Sequence, residues 1–235
     1  MKSIPLTRPY FDEAELEQIR ECLGSGWVTQ GPKVAEFEKC FALRHRLVNT
    51  VATTSCTAAL HVSAMALGLG PGDEVVVPAF TWVTSAHCAE YVGAKAIFAD
   101  VHESTFNLSP QALEAAITPR TRAVVVVIAR RHSLKVIEDA ACGVGTTYRG
   151  EPVGHLGDMG CFSFHPRKII TTGEGGMITS RDELLAKQAR CLINHGSTWL
   201  LNDKSTPTGP WAMDPFGMLG FNLRLSDVQA AMGIA

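Results

Sequence analysis

One lysine in this chain stands where an amine can do chemistry. In the stretch Ser163–Gly176, S-F-H-P-R-K-I-I-T-T-G-E-G-G, Lys168 lies between an apolar strand and a glycine-rich turn. Such a position can strip part of the water from the ammonium. Desolvation lowers an amine's pKa, and a neutral amine condenses with a carbonyl group, so Lys168 is a candidate Schiff-base residue. Taken alone, the same lysine also reads as a solvated surface charge. A second candidate closes the run V-I-E-D-A-A, where Glu138 and Asp139 end an apolar strand. Ligand sites in open α/β sheets lie at that carboxyl edge.

A carboxylate beside a pyridine nitrogen keeps it protonated and lets the ring accept electrons, the property that pyridoxal 5'-phosphate chemistry needs. A strand-end carboxylate capping a turn is the alternative for Asp139. In T-T-S-C-T-A-A-L-H, a strand turns through Ser55, Cys56 and Thr57 directly into a helix. The free N–H groups of a helix start suit a phosphate, and the hydroxyls of Ser55 and Thr57 add donors; a plain Ser/Thr cap explains the same residues. Trp82, in A-F-T-W-V-T-S-A, follows a strand and could stack on an aromatic ring or pack in the core. The loop G-S-G-W-V-T-Q-G-P offers Trp27, Thr29 and Gly31 as candidate lining for a substrate cleft, with simple packing somewhat favoured. Neither a Walker A loop nor a G-x-G-x-x-G fingerprint is present, and no His pair has metal spacing, so a metal site is not expected.

The elements that must position these residues alternate. The runs V-N-T-V-A-T, E-V-V-V-P, A-K-A-I-F-A-D and R-A-V-V-V-V each read as a strand, the first three followed by helical stretches. This βα rhythm predicts a mostly parallel sheet with helices on both faces. L-K-V-I-E-D-A, M-G-C-F-S-F and G-G-M-I-T-S add strands, and D-E-L-L-A-K-Q-A-R-C-L-I-N-H-G adds a helix. At the start, residues 12–23 read as a helix with Leu16, Ile19 and Leu23 on one face, an Asp12/Glu15 capping box and Gly24 as its stop. A second helix is expected at 33–46. Only about six residues separate R-A-V-V-V-V from the next strand, whereas a parallel crossover takes roughly a dozen or more. Either those two strands are not parallel neighbours, or a segment is missing after Val127. The tail, S-D-V-Q-A-A-M-G-I-A, begins like an amphipathic helix and stops without a cap.

Composition narrows the field. The 235 residues are 46% hydrophobic and 19% charged, ordinary for a globular chain, and one domain over 1–235 is expected. A formal net charge of −2 with no basic run argues against nucleic acid as a partner. The absence of an apolar leader or span argues against a membrane and for the cytoplasm. Seven scattered cysteines without a C-x-x-C pair predict neither disulfides nor structural zinc.

The pieces occur in the order and spacing of the DegT/DnrJ/StrS-type sugar aminotransferases, a branch of the fold-type I pyridoxal-phosphate enzymes that this chain resembles over almost its whole length. S-G-W-V-T-Q-G-P-K-V-A-E-F-E, T-S-C-T-A-A-L-H, G-D-E-V-V-V-P-A-F-T-W-V-T-S-A, V-I-E-D-A-A-C-G-V-G-T-T-Y-R-G-E-P-V-G, G-D-M-G-C-F-S-F-H-P-R-K-I-I-T-T-G-E-G-G-M and G-F-N-L-R-L-S-D-V-Q-A-A carry the resemblance. It implies a three-layer α/β large domain holding pyridoxal 5'-phosphate. Lys168 would bind the cofactor covalently and shuttle a proton, and Asp139 would pair with the pyridine nitrogen. Ser163 and the Ser55-Cys56-Thr57 turn would hold the phosphate, Trp82 would lie against the ring, and Cys142 and His165 would complete the cofactor contacts. Asn222 would reach the phosphate of a neighbouring subunit, which implies a homodimer with shared sites. The implied reaction moves an amine from an amino-acid donor, usually glutamate, to a keto group on a nucleotide-linked sugar.

Three departures from the family pattern stand out. Cys142 replaces a usual glutamine or histidine, the segment after Val127 is short, and the smaller C-terminal domain of relatives is absent from these 235 residues. Two other readings remain: a dehydratase of the same fold, against which Lys168 speaks because those relatives carry histidine there, and a non-catalytic relative.

Overall fold

The structure, a computed structural model, describes residues 4–126, 134–198, 201 and 215–235. Short β-branched runs between turn residues become strands: β1 (Val51–Thr53), β2 (Glu74–Pro78), β3 (Lys95–Ala99), β4 (Thr121–Val126) and β5 (Lys135–Asp139). After a two-stranded ribbon of β6 (Thr147–Tyr148) and β7 (Glu151–Pro152), β8 (Met159–Ser163) and β9 (Gly176–Thr179) complete the main sheet. Its seven strands run in the order β1-β9-β8-β5-β4-β2-β3, and β9 alone is antiparallel to its neighbours. The mostly parallel sheet expected from the βα rhythm is the observed one.

The helices are α1 (Glu13–Ser25), α2 (Pro32–His45), α3 (Cys56–Ala66), α4 (Thr84–Glu90), α5 (Pro110–Ala116), α6 (Glu183–Leu192) and α7 (Asp227–Ile234). Successive strand residues point to opposite faces, and the core divides accordingly. Val75, Val77, Ile137 and Ile178 pack with Leu60 and Val62 of α3 and with α4 and α6. Ala52, Phe162 and Met177 face Phe37 and Phe41 of α2 and Ala230 of α7, while Val76, Val124 and Val136 sit under α5. Helices thus cover both faces. Among the described residues no helix is long and apolar enough to cross a membrane, and all seven cysteines are free.

Three expectations need adjustment. The Asp12/Glu15 capping box forms, but α1 runs through Gly24 and ends at Gly26, whose φ of 74° supplies the left-handed cap. Leu16 and Leu23, expected to pack, are 54% and 58% exposed, and Cys22 is the buried residue of α1. Finally, β4 and β5 are parallel neighbours, with Val124 opposite Val136 and Val125 opposite Ile137. The reading that kept them apart is thereby excluded. Eight residues separate Val126 from Lys135, and most of that link, including the suspected break after Val127, lies outside the described residues.

Candidate active site

The parallel strands β2, β4, β5 and β8 end at one rim, at Pro78, Val126, Asp139 and Ser163, and a cavity of about 640 Å³ opens there. Strand alternation decides which of the two acids at the end of β5 faces it. Asp139 lines the cavity, whereas Glu138 is fully buried and accepts the amides of Gly154 (2.8 Å) and Gly157 (2.5 Å). Asp139 Oδ2 accepts the hydroxyl of Ser85 at 2.5 Å, and its Oδ1 accepts the amide of Ala141 at 3.3 Å.

The second wall is the start of α3. Ser55 caps this helix, its Oγ accepting the amide of Ala58 at 3.1 Å, while its carbonyl accepts that of Ala59. Among the described residues the amides of Cys56 and Thr57 have no partner, and both residues line the cavity. These are the orphan donors of a helix start, with the positive end of the dipole behind them. Gly176 lets the helix sit there: a Cβ on it would lie 2.4 Å from the carbonyl carbon of Ser55.

Lys168 enters from the turn after β8, held by its amide donating to the His165 carbonyl at 2.8 Å, and its Nζ donates to Cys142 Sγ at 3.1 Å. Ser163 and His165 line the same space. Trp82 stands at the mouth, 76% exposed. The thiols behind this wall stay protonated. Burial, and then the nearby Asp139 carboxylate, push Cys56 well above the usual thiol range, and the same causes push Cys88 up to about 12. An amine, a carboxylate, unpaired helix amides and an exposed indole therefore share one cavity. That set fits a flat ring carrying a phosphate, a protonatable nitrogen and an aldehyde.

The family model of the DegT/DnrJ/EryC1/StrS aminotransferases matches residues 9–235. The chain belongs to this family. It is 40% identical to the spore coat polysaccharide biosynthesis protein SpsC of Bacillus subtilis over 245 residues, and 42% identical to the GDP-perosamine synthase of Caulobacter vibrioides over 252 residues. Those matches cover 98% and 99% of this chain but 63% and 64% of the relatives' own lengths, and they run over more residues than the 235 of this chain. Among solved structures, the PLP form of Spr1654 from Streptococcus pneumoniae superposes with a TM-score of 0.87 at 31% identity, covering 99% of this chain and 66% of that one.

The family's motifs converge here only in part. Ser55, Cys56, Thr57, Trp82, Asp139, Cys142, Ser163, His165 and Lys168 all line the one cavity. Trp27, Thr29, Gly31 and Asn222 do not. Trp27 Nε1 donates to the Gln30 carbonyl at 3.1 Å, Thr29 offers its carbonyl to Asp227, and Gly31 gives its amide to the Asp227 carboxylate. Thr29 and Gly31 thus tie the loop to the start of α7, while Trp27 remains 52% exposed. Asn222 is exposed and forms a backbone bridge to Asn194.

The cavity is also lined by residues that the sequence reading passed over. Thr81 lines it, and behind the lining the fully buried Ser85 joins Thr81 to Asp139; both lie around Trp82 in the same T-W-V-T-S run, at a four-residue spacing that puts them on one side of a turn. Phe80, Phe106 and Arg167 line the mouth.

Proposed function

We propose that this chain is the cofactor-binding part of a pyridoxal-phosphate-dependent aminotransferase that converts a nucleotide-linked keto-sugar to an amino-sugar with an amino acid, glutamate in the first instance, as donor. The observation that carries the reading is the placement of the Lys168 amine and the Asp139 carboxylate in one cavity walled by the open amides of α3. Cys56, Thr57 and Ser163 would hold the phosphate, Trp82 would cover the ring, and Asp139 would keep a proton on the ring nitrogen. When bound, the cofactor supplies an electron sink for the carbon that loses its proton. Lys168 would hold the cofactor between turnovers and, once released, move a proton between the substrate carbon and the cofactor carbon, as a positioned base. The name of the GDP-perosamine synthase relative supports a nucleotide sugar as acceptor.

A homodimer with shared sites belongs to the same proposal. It is supported by Phe80 and Trp82, 66% and 76% exposed at the cavity mouth, and by Asn222, exposed and outside the cavity of its own chain.

The test is visible absorbance of the purified protein with added pyridoxal phosphate, before and after borohydride, followed by peptide mass mapping. An adduct on Lys168 is expected. A folded sample that acquires none would overturn the catalytic reading. That outcome would favour a second one, a non-catalytic relative, for which one observation speaks: β4 and β5 are parallel neighbours joined by eight residues, fewer than such a crossover ordinarily spans.

A further inference from the structure

We infer that Ser85 is a positioning residue for Asp139, and that Thr81 sets the direction in which its hydroxyl donates. The inference rests on the cofactor reading above and concerns how the acid in that site is aimed. Ser85 has no solvent exposure and lies in the first turn of α4, its amide donating to the Trp82 carbonyl at 3.0 Å. Its Oγ lies 2.5 Å from Asp139 Oδ2 and 2.8 Å from Thr81 Oγ1. A carboxylate at neutral pH only accepts, so the Ser85 proton points to Asp139. The Ser85 oxygen then takes its own hydrogen bond from Thr81, which fixes both hydroxyls in one chain, Thr81 to Ser85 to Asp139. The Ser85 hydroxyl, buried and in contact with both Thr81 Oγ1 and Asp139 Oδ2, is thereby held on the carboxylate.

Two consequences follow for the carboxylate. With Oδ2 held by Ser85 and Oδ1 held by the Ala141 amide, its plane is fixed from two elements, α4 and the turn after β5. Each oxygen keeps a further lone pair for a partner in the cavity. The same five-residue turn carries Trp82 between Thr81 and Ser85, so the side chain proposed to cover the ring and the pair that aims the acid move as one piece. None of this requires Ser85 to touch cofactor or substrate.

The experiment compares wild type, Ser85→Ala, Ser85→Thr and Thr81→Val after loading with pyridoxal phosphate. It reads the dissociation constant from quenching of tryptophan fluorescence, the pH dependence of the visible absorption band, and kcat against KM with a keto-sugar acceptor. Ser85→Ala is expected to weaken cofactor binding about tenfold, to shift the band's pH profile and to lower kcat by about tenfold or more with KM little changed, the size of one hydrogen bond to a charged group. Ser85→Thr keeps the hydroxyl and is expected to restore all three, and Thr81→Val to fall between. A Ser85→Ala protein that folds, loads and titrates like wild type would overturn the inference while leaving the cofactor reading intact. Should Ser85→Ala fail to fold, a Thr81→Val profile identical to wild type would overturn it equally. A wild type that acquires no adduct at Lys168 would instead sink the reading on which the inference stands.

Discussion

The Nζ of Lys168 donates to the Sγ of Cys142 across 3.1 Å, which ties the turn after β8 to the turn after β5. A thiol is a weak acceptor, so this contact orients the lysine without competing strongly for its proton. Cys142 is also exposed, and it shares that exposure with Cys40 alone among the seven cysteines.

Thiol labelling at neutral pH should follow from this. Iodoacetamide reacts with thiolates, and burial raises the pKa of Cys22, Cys56, Cys88, Cys161 and Cys191 away from that form. Peptide mass mapping is expected to find Cys142 and Cys40 modified and the other five untouched. Prior loading with pyridoxal phosphate should protect Cys142 and leave Cys40 reactive. Equal protection of both, or of neither, would remove Cys142 from the cofactor site.

A second prediction concerns Asp227, which is 1% exposed and accepts three backbone amides: Gly31 at 2.7 Å, Lys33 at 3.0 Å and Val34 at 3.0 Å. The helix α2 begins at Pro32 behind a glycine that has no side chain to cap it, so α7 supplies the cap from the far end of the chain. Asp227→Ala leaves those donors buried and unpaired. It is expected to cost about 2–4 kcal/mol and to lower Tm by roughly 5–10 °C in a thermal melt. A change under about 1 kcal/mol would mean that water replaces the carboxylate there.

That long-range cap also shows where sequence reading stopped. The strands and the helix order were legible because each rests on a local pattern of β-branched runs and turn residues, whereas Lys168 and Asp139 were ambiguous one by one and were singled out by the family resemblance; the structure brings both to one cavity. The tie of Gly31 to Asp227 was not legible, because the two lie 196 positions apart and no local signal links them. Ser85 was hidden for a related reason. A serine in a helix start reads as a capping or packing residue, and only the fold brings α4 against the end of β5. The exposure of Leu16 and Leu23 was equally unreadable, since periodicity marks an apolar face without saying what meets it.

Acid should weaken the protein through Glu74. Its carboxyl is held below the usual carboxylate range first by the hydroxyl of Thr118, 2.5 Å away, and then by Arg120, whose Nε and Nη2 donate to Oε1 at 2.9 and 2.6 Å. A carboxyl whose folded-state pKa is depressed stabilises the fold above the unfolded value of about 4.3, and that contribution is lost as pH falls through the folded value. In urea melts, Glu74→Gln is expected to be less stable than wild type by a constant margin at pH 5–7. The margin should shrink below about pH 4.3, as wild type loses the advantage and the glutamine protein has none to lose. A margin that stays flat down to pH 3 would show that the Thr118 and Arg120 contacts do not discriminate between the charged and neutral acid.

Gly176 gives the sharpest separation between fold and site. It opens β9, opposite Ser163 of β8, and lies beneath the start of α3, where an added Cβ would meet the backbone of Ser55 and Cys56 at 2.4–2.7 Å. Real Cβ atoms do not approach backbone so closely, so Gly176→Ala must push the helix start away from the sheet or distort β9. Either shift moves the open amides of Cys56 and Thr57, two residues that line the cavity. The expected result is a fall of about tenfold or more in affinity for pyridoxal phosphate, with a moderate drop in Tm. Inorganic phosphate separates the two effects. If the wild-type helix start is an anion site, phosphate should raise the wild-type Tm and leave that of the alanine protein unchanged. An alanine protein that is merely less stable, yet gains as much from phosphate as wild type does, would mean that the amides of α3 are not where the anion binds.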